Sequence, residues 1–120
     1  MAGTARPLDF AAFQAALAEA TKGIEHPRAL AAVALGEEAG EVLRCVLDAE
    51  GYGKDVKAAL AGEVGDVLVA LSEVASRYGL RLDACAAEAL AKIREKAPAW
   101  RAELSGRLER MRKAMDGPVA

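Results

Sequence analysis

Four acidic side chains fall on the apolar faces of two consecutive helical stretches, and few arrangements of a chain tolerate that. Glu38 and Glu41 stand three residues apart, and so do Glu63 and Asp66. On an α-helix this spacing brings the two members of a pair to one face, about one turn apart. Ala31, Ala34, Val42 and Cys45 share the face of the first pair, and Ala59, Ala70 and Val74 flank that of the second. Solvated acids ordinarily occupy the opposite face. Glu37 is displaced to one side, toward Arg44 and solvent. Two such helices packed side by side gather four carboxylates in a half-buried seam, where they repel one another and resist desolvation. A hard divalent cation relieves both penalties, and all-oxygen ligation suits Mg²⁺ or Mn²⁺.

Glycines accompany the acids. Gly36, Gly40, Gly62 and Gly65 lie inside the same helical runs, where each costs about 0.5–1 kcal/mol relative to alanine. Their position beside the carboxylates implies a close backbone approach, either by a neighbouring helix or by a bound phosphate group. The residues alone therefore point to a metal-dependent enzyme acting on a phosphorylated substrate. A ferritin-like iron site is excluded, because it needs Glu-x-x-His and the sole histidine, His26, lies near a helix start.

The rest of the chain reads as helix throughout. Of its 120 residues, 53% are hydrophobic but only 4% aromatic. Alanine supplies much of the difference, and alanine favours helices that approach closely. The first predicted helix runs from Leu8 to about Lys22, with Asp9 as N-cap and a Leu8–Phe13 staple. Gly23 and Pro27 then break the chain. A second helix covers Arg28 to Glu50, Gly51-Tyr52-Gly53 turns, and Asp55 caps a third helix from Val56 to Tyr78 that stops at Gly79. Asp83 caps a fourth, to about Ala97, which Pro98 interrupts. A fifth, Ala99 to about Met115, carries Trp100, Leu104, Leu108, Met111 and Met115 on one stripe, and Asp116-Gly117-Pro118 ends it. The stripe suits packing or subunit contact, with Arg101, Arg107, Arg110, Arg112 and Lys113 solvated around it. Neither strand-like alternation nor an internal repeat is present. The expectation is an all-α helical bundle in a single domain, 1–120, with a core at 8–98 and a C-terminal helix at 99–116. The two acid-bearing helices form an antiparallel pair across a short loop.

Bulk properties narrow the partners. The formal charge of -2 argues against non-specific binding to a nucleic-acid polymer. No run of about 20 apolar residues offers a membrane span. Met1 to Pro7 lacks the layout of a secretory signal. Cys45 and Cys85, both mid-helix and without a CxxC partner, read as reduced core thiols of a cytoplasmic protein.

Glu-x-x-Glu followed by Glu-x-x-Asp on consecutive helices resembles the MazG-type all-α nucleoside triphosphate pyrophosphohydrolases. Ala34-Leu35-Gly36-Glu37-Glu38-Ala39-Gly40-Glu41-Val42 is similar to the first motif of that family, and Gly62-Glu63-Val64-Gly65-Asp66-Val67-Leu68 to the second. Tyr78-Gly79-Leu80-Arg81-Leu82 resembles the turn that follows. Lys92-Ile93-Arg94-Glu95-Lys96-Ala97-Pro98 resembles the basic closing segment, and Leu8-Asp9 through Phe13-Gln14 and Thr21 the first helix of shorter members. Roughly residues 8–98 are covered.

The resemblance implies a helical protein that dimerises around a four-helix core, sometimes assembling to a tetramer. It further implies Mg²⁺-dependent (or Mn²⁺-dependent) hydrolysis of nucleoside triphosphates to a monophosphate and pyrophosphate. Carried over residue by residue, Glu38, Glu41, Glu63 and Asp66 become the metal ligands and catalytic acids, and Lys92 and Lys96 face the phosphates, with Arg94 in a lesser role. Glu73, seven residues beyond Asp66 on the same side of its helix, is either a further metal contact or a surface residue. The chain departs from many short members at Ala89, where they carry asparagine, at Val69 and Ala70, where they carry aromatics, and at Glu95, where arginine is common. Three other readings share these residues: phosphoribosyl-ATP pyrophosphatase, a dUTPase-like relative, and a catalytically silent helical interaction module. The sequence does not select a base or sugar.

Overall fold

The computed structural model describes residues 8–24 and 26–117, and over them the chain is helical with no strand. Met1 to Pro7, read above for their lack of a secretory layout, and Pro118 lie outside the described residues. Four helices follow in order: α1 Phe10–Ala20, α2 Arg28–Tyr52, α3 Lys57–Arg77 and α4 Leu82–Asp116.

Local chemistry sets most of the boundaries. The Asp9 carboxylate accepts the Ala12 N–H at 2.7 Å, satisfying one of the donors a helix start leaves free. Helix α2 starts directly after Pro27 and runs into Gly53, which takes a left-handed conformation at φ 65° and donates to the Ala49 carbonyl, while the Lys54 N–H donates to that of Asp48. This is the usual termination, since only glycine enters that region without steric cost. Asp55 then accepts the Lys57 N–H at 3.3 Å as α3 begins. Gly79, at φ 68°, turns the chain after α3, and Arg81 pairs with Asp83 at 2.7 Å across the start of α4. Asp83 thus sits in the first turn of α4 and accepts the Ala84 N–H at 2.8 Å. The Arg81 hydrogen bond holds its carboxyl below the usual range.

Two expectations change. The fourth and fifth predicted helices are one, because Pro98 lies within α4 and does not end it. Proline removes one backbone bond and crowds the carbonyl four residues earlier. That carbonyl belongs to Arg94, an exposed residue where water can take the lost donor's place, and the flanking Ala, Glu, Lys and Arg residues all favour helix. Cys85 is also not a core thiol: it is exposed near the start of α4, whereas Cys45 is half-buried, and both are free.

The chain divides into two compact units, Met1–Cys85 and Ala86–Ala120. Within the first, α2 and α3 form a hairpin across the four-residue loop 53–56, and α1 lies more sparingly against α3. The buried residues of this unit are small: Ala31 on α2, and Ala70, Ser72 and Ala75 on α3. One polar side chain ties α1 down. Gln14 donates through Nε2 to Ser76 Oγ at 3.0 Å and to the Leu80 carbonyl at 2.9 Å, while its Oε1 accepts the Leu82 N–H at 2.8 Å. Arg77 Nη1 donates to the His26 carbonyl at 2.8 Å, and the Arg28 guanidinium lies 5.2 Å over the Tyr78 ring. These contacts secure the α1–α2 connection against the end of α3. The second unit is the remainder of α4. It presents Leu90, Ile93, Trp100, Leu108, Met111 and Met115 to solvent.

Candidate metal centre

The α2–α3 hairpin brings the acids together. Glu38 on α2 and Glu63 and Asp66 on α3 each offer a carboxylate oxygen, and the three oxygens lie within 4.8 Å of one another. Glu38 and Glu63 are half-buried and Asp66 is exposed, so the cluster opens to solvent on its α3 side. No salt bridge among the described residues engages any of the three; the ion pairs found are Arg81–Asp83, Lys92–Glu88 and Arg112–Glu109. Negative charge therefore gathers with no basic side chain to offset it.

Glu38 records the consequence. Partial burial, then the charges of Asp66, Glu63, Glu41 and Glu37 in that order, push its carboxyl above the ordinary value of 4.5. A carboxylate disfavoured as a bare anion, surrounded by other hard oxygen donors, is a good partner for a small divalent cation. The donor set accordingly fits Mg²⁺ or Mn²⁺: oxygen only, converging, and uncompensated by protein cations.

The fourth acid differs. Glu41 is exposed and does not join the three-oxygen cluster, although its charge reaches Glu38. A spacing of three residues rotates the side chain by about 60° around the helix. Here that rotation leaves Glu38 on the seam with α3 and Glu41 on its rim. Glu37 is exposed, as its position off the apolar stripe implied.

The expected close approach at the glycines is not made within the chain. A methyl group added at Gly36, Gly40, Gly62 or Gly65 meets nothing within 4 Å outside its own helix. These positions are open faces beside the acids rather than tight helix crossings.

The two lysines belong to the second unit. Lys92 Nζ lies 3.5 Å from Glu88, one turn earlier on α4, with both side chains largely exposed. Lys96 is exposed and has no ion pair among the described residues.

Sequence reasoning passed over one residue of the first unit. Gln14 was noted only as part of a resemblance, and it proves to be the polar link between α1 and the turn after α3. Its place among the half-buried residues Phe13, Leu17 and Thr21, on one face of α1, was the available signal. Glu73, read as either a metal contact or a surface residue, is half-buried, lies outside the three-oxygen cluster and lines a cavity beside α1.

Residues 25–100 match the MazG nucleotide pyrophosphohydrolase domain. The chain belongs to the MazG family. The matched span takes in both acid-bearing helices and the first half of α4, so the motifs read from sequence and the clustered carboxylates fall in the same segment. It identifies a nucleotide pyrophosphohydrolase domain. No curated protein and no solved structure matches the chain. Among the described residues, no helix is long and apolar enough to cross a membrane.

Proposed function

We propose that this MazG-family chain hydrolyses nucleoside triphosphates, ribo- or deoxyribonucleotides, to a monophosphate and pyrophosphate in the presence of Mg²⁺ or Mn²⁺. The observation that carries the reading is the converging, unpaired oxygen set of Glu38, Glu63 and Asp66, in which partial burial and then neighbouring charge disfavour ionisation of Glu38. These three residues, with Glu41 beside them, would hold the cation. When bound, it supplies charge neutralisation at the phosphate oxygens and acidifies water.

The chain's own groups then have distinct tasks. Water attacks the α-phosphorus in line, the bond from that phosphorus to the α–β bridging oxygen breaks, and pyrophosphate departs with the bonding electrons. The water's proton passes to a carboxylate. Glu41 is assigned this task because it is exposed at the rim and outside the three-oxygen cluster, leaving it free to accept. Lys92 and Lys96 offset charge on the leaving group, and for Lys92 this means exchanging its loose pairing with Glu88 for the phosphates.

Self-association accompanies this reading. Within the described residues the buried hydrophobic side chains are Ala31, Ala70 and Ala75, whereas Val33, Leu43 and Leu47 stand exposed on α2. Together with Ala29, Gly36 and Gly40 these follow alternating steps of four and three along the helix, the spacing of a helix-pairing seam. A second copy covering it gives the homodimer, or on further assembly the homotetramer, and gives the open glycines a neighbour. The free thiols of Cys45 and Cys85 suit a reducing cytoplasm.

The test is product analysis with purified chain, nucleoside triphosphates and Mg²⁺. Equal yields of monophosphate and pyrophosphate are expected. Glu41→Gln and Asp66→Asn should each lower turnover at least about 10²-fold, the scale of a lost proton acceptor or an equivalent electrostatic group. Unchanged pyrophosphate release in both variants rejects the mechanism. Calorimetry showing no acid-dependent uptake of Mg²⁺ or Mn²⁺ would favour a silent interaction module instead.

A further inference from the structure

A cavity of about 440 Å³ opens between α1, the segment after it, and the last turns of α3. It lies apart from the three clustered carboxylates but on the same line. Seven residues are almost two turns of helix, so Glu73 projects from the face of α3 that carries Asp66, about 10 Å further along. Leu17, Ala18 and Ile24 supply apolar wall, while Glu73, Lys22 and Arg77 supply charge. Small-molecule sites combine apolar walls and a few polar groups in volumes of this order.

We propose that this cavity receives the base of the nucleotide, and that Glu73 and Lys22 select guanine. The inference rests on the pyrophosphohydrolase reading and specifies its substrate. The polar groups of the cavity sort by what they still have to offer. Gln14 is spent, because both of its amide ends are bonded to Ser76, Leu80 and Leu82. Arg77 is anchored through Nη1 to the His26 carbonyl. Glu73 makes no hydrogen bond or ion pair among the described residues. An ionised carboxylate only accepts, through two oxygens side by side, and a lysine ammonium only donates.

The pairing edges of the bases answer that pattern differently. Guanine presents two adjacent donors, N1–H and the exocyclic amino group, next to the O6 acceptor. The carboxylate of Glu73 can take both donors while Lys22 meets O6. Adenine and cytosine set a ring-nitrogen lone pair beside their single amino group, which a carboxylate repels. Uracil flanks its one N–H with two carbonyls. A site built around a specific hydrogen-bonding edge discriminates strongly, because the wrong base leaves its polar groups unpaired.

The test measures kcat/KM for GTP, ATP, CTP and UTP with Mg²⁺, together with GMP and UMP titrations of the metal-free chain followed by amide NMR. We expect GTP to lead by at least about tenfold, below what an enclosed site achieves since this cavity is open. GMP should shift amides in 17–24 and 73–77 more than UMP does. Glu73→Gln should erase most of the GTP advantage through KM, and Glu73→Lys should move preference toward UTP, a reversal that a misfolded variant cannot produce. Hydrolysis of all four triphosphates with equal kcat/KM, or an unchanged ratio in Glu73→Gln, overturns the guanine assignment and leaves the reaction standing. GMP binding in the cavity that Glu73→Gln weakens, without hydrolysis of any triphosphate, keeps the assignment and removes the reaction. Absence of both overturns the two together.

Discussion

Gln14 offers the sharpest check on how the first unit is held together. Replacing it with methionine keeps length and helix propensity nearly constant, so α1 itself is little affected. Three hydrogen bonds go. The two that Nε2 donates, to Ser76 Oγ and the Leu80 carbonyl, are exposed, and the lower end of the usual range applies: about 0.5 kcal/mol each. The third is part-buried, and its loss leaves the Leu82 N–H without a partner, which costs about 1–3 kcal/mol. The sum is about 2–4 kcal/mol. A cooperative unit of this size loses about 4 °C in Tm per kcal/mol, so the midpoint should fall by about 8–16 °C. Gln14→Glu should fall between, since a carboxylate still accepts from Leu82 N–H but can no longer donate to Leu80. Far-UV circular dichroism melts at one fixed protein concentration measure all three proteins, which keeps any association equilibrium common to them. A Gln14→Met midpoint within about 2 °C of wild type would refute the claim that this side chain couples α1 to the α3–α4 turn.

Three further outcomes are expected. The Glu38 carboxyl has a folded-state pKa above the unfolded value of 4.5, so its protonation favours the folded form: in a chelator, this contribution is fully present below 4.5 and is lost as pH rises through the folded value. Melts across that range should show wild type losing more stability toward neutrality than Glu38→Gln does; parallel profiles reject the crowding argument. A ligand of the native state at about a hundredfold over its Kd adds about 2.7 kcal/mol, so Mg²⁺ or Mn²⁺ should raise the wild-type Tm clearly, and Asp66→Asn should blunt the response. Pro98→Ala should stabilise α4, since proline in a helix interior is disfavoured by about 3 kcal/mol, and hydrogen exchange of nearby amides should slow; unchanged exchange would show that Pro98 imposes no strain there.

The sequence was most legible where one interaction decides the outcome within a few residues. Asp9, Gly53 and Gly79 mark ends of helices because capping and left-handed turns are local chemistry. The pairing of the two acidic motifs was readable for the same reason, since a short loop joins their helices. Pro98 was misread because its effect depends on competition: one lost bond against many strong helix formers on both sides. The split between Glu38 and Glu41 was illegible in principle. Their spacing fixes a relative rotation but not the roll of α2 against α3, which is set only when the two helices pack. The part Gln14 plays, and the cavity that Glu73 lines, escaped notice because both arise from groups about fifty residues or more distant in the chain.

The property that makes an ionised Glu38 costly in the hairpin also makes the hairpin useful. Its carboxyl is crowded by Asp66 and Glu63 across the seam and by Glu41 and Glu37 along its own helix. No protein cation answers this charge among the described residues, so either a proton or a cation from solution must. A proton neutralises a single oxygen, while a divalent cation draws on all three converging carboxylates at once. Acid therefore competes with metal at Glu38 itself, and raising Mg²⁺ should move the acid limb of the pH–rate profile to lower pH. An ordinary surface cluster gives no such movement, because acids that are not crowded hold a proton or a divalent cation no more tightly than isolated carboxylates do. The displacement of that limb by Mg²⁺ thus distinguishes a built site from a chance gathering of charge.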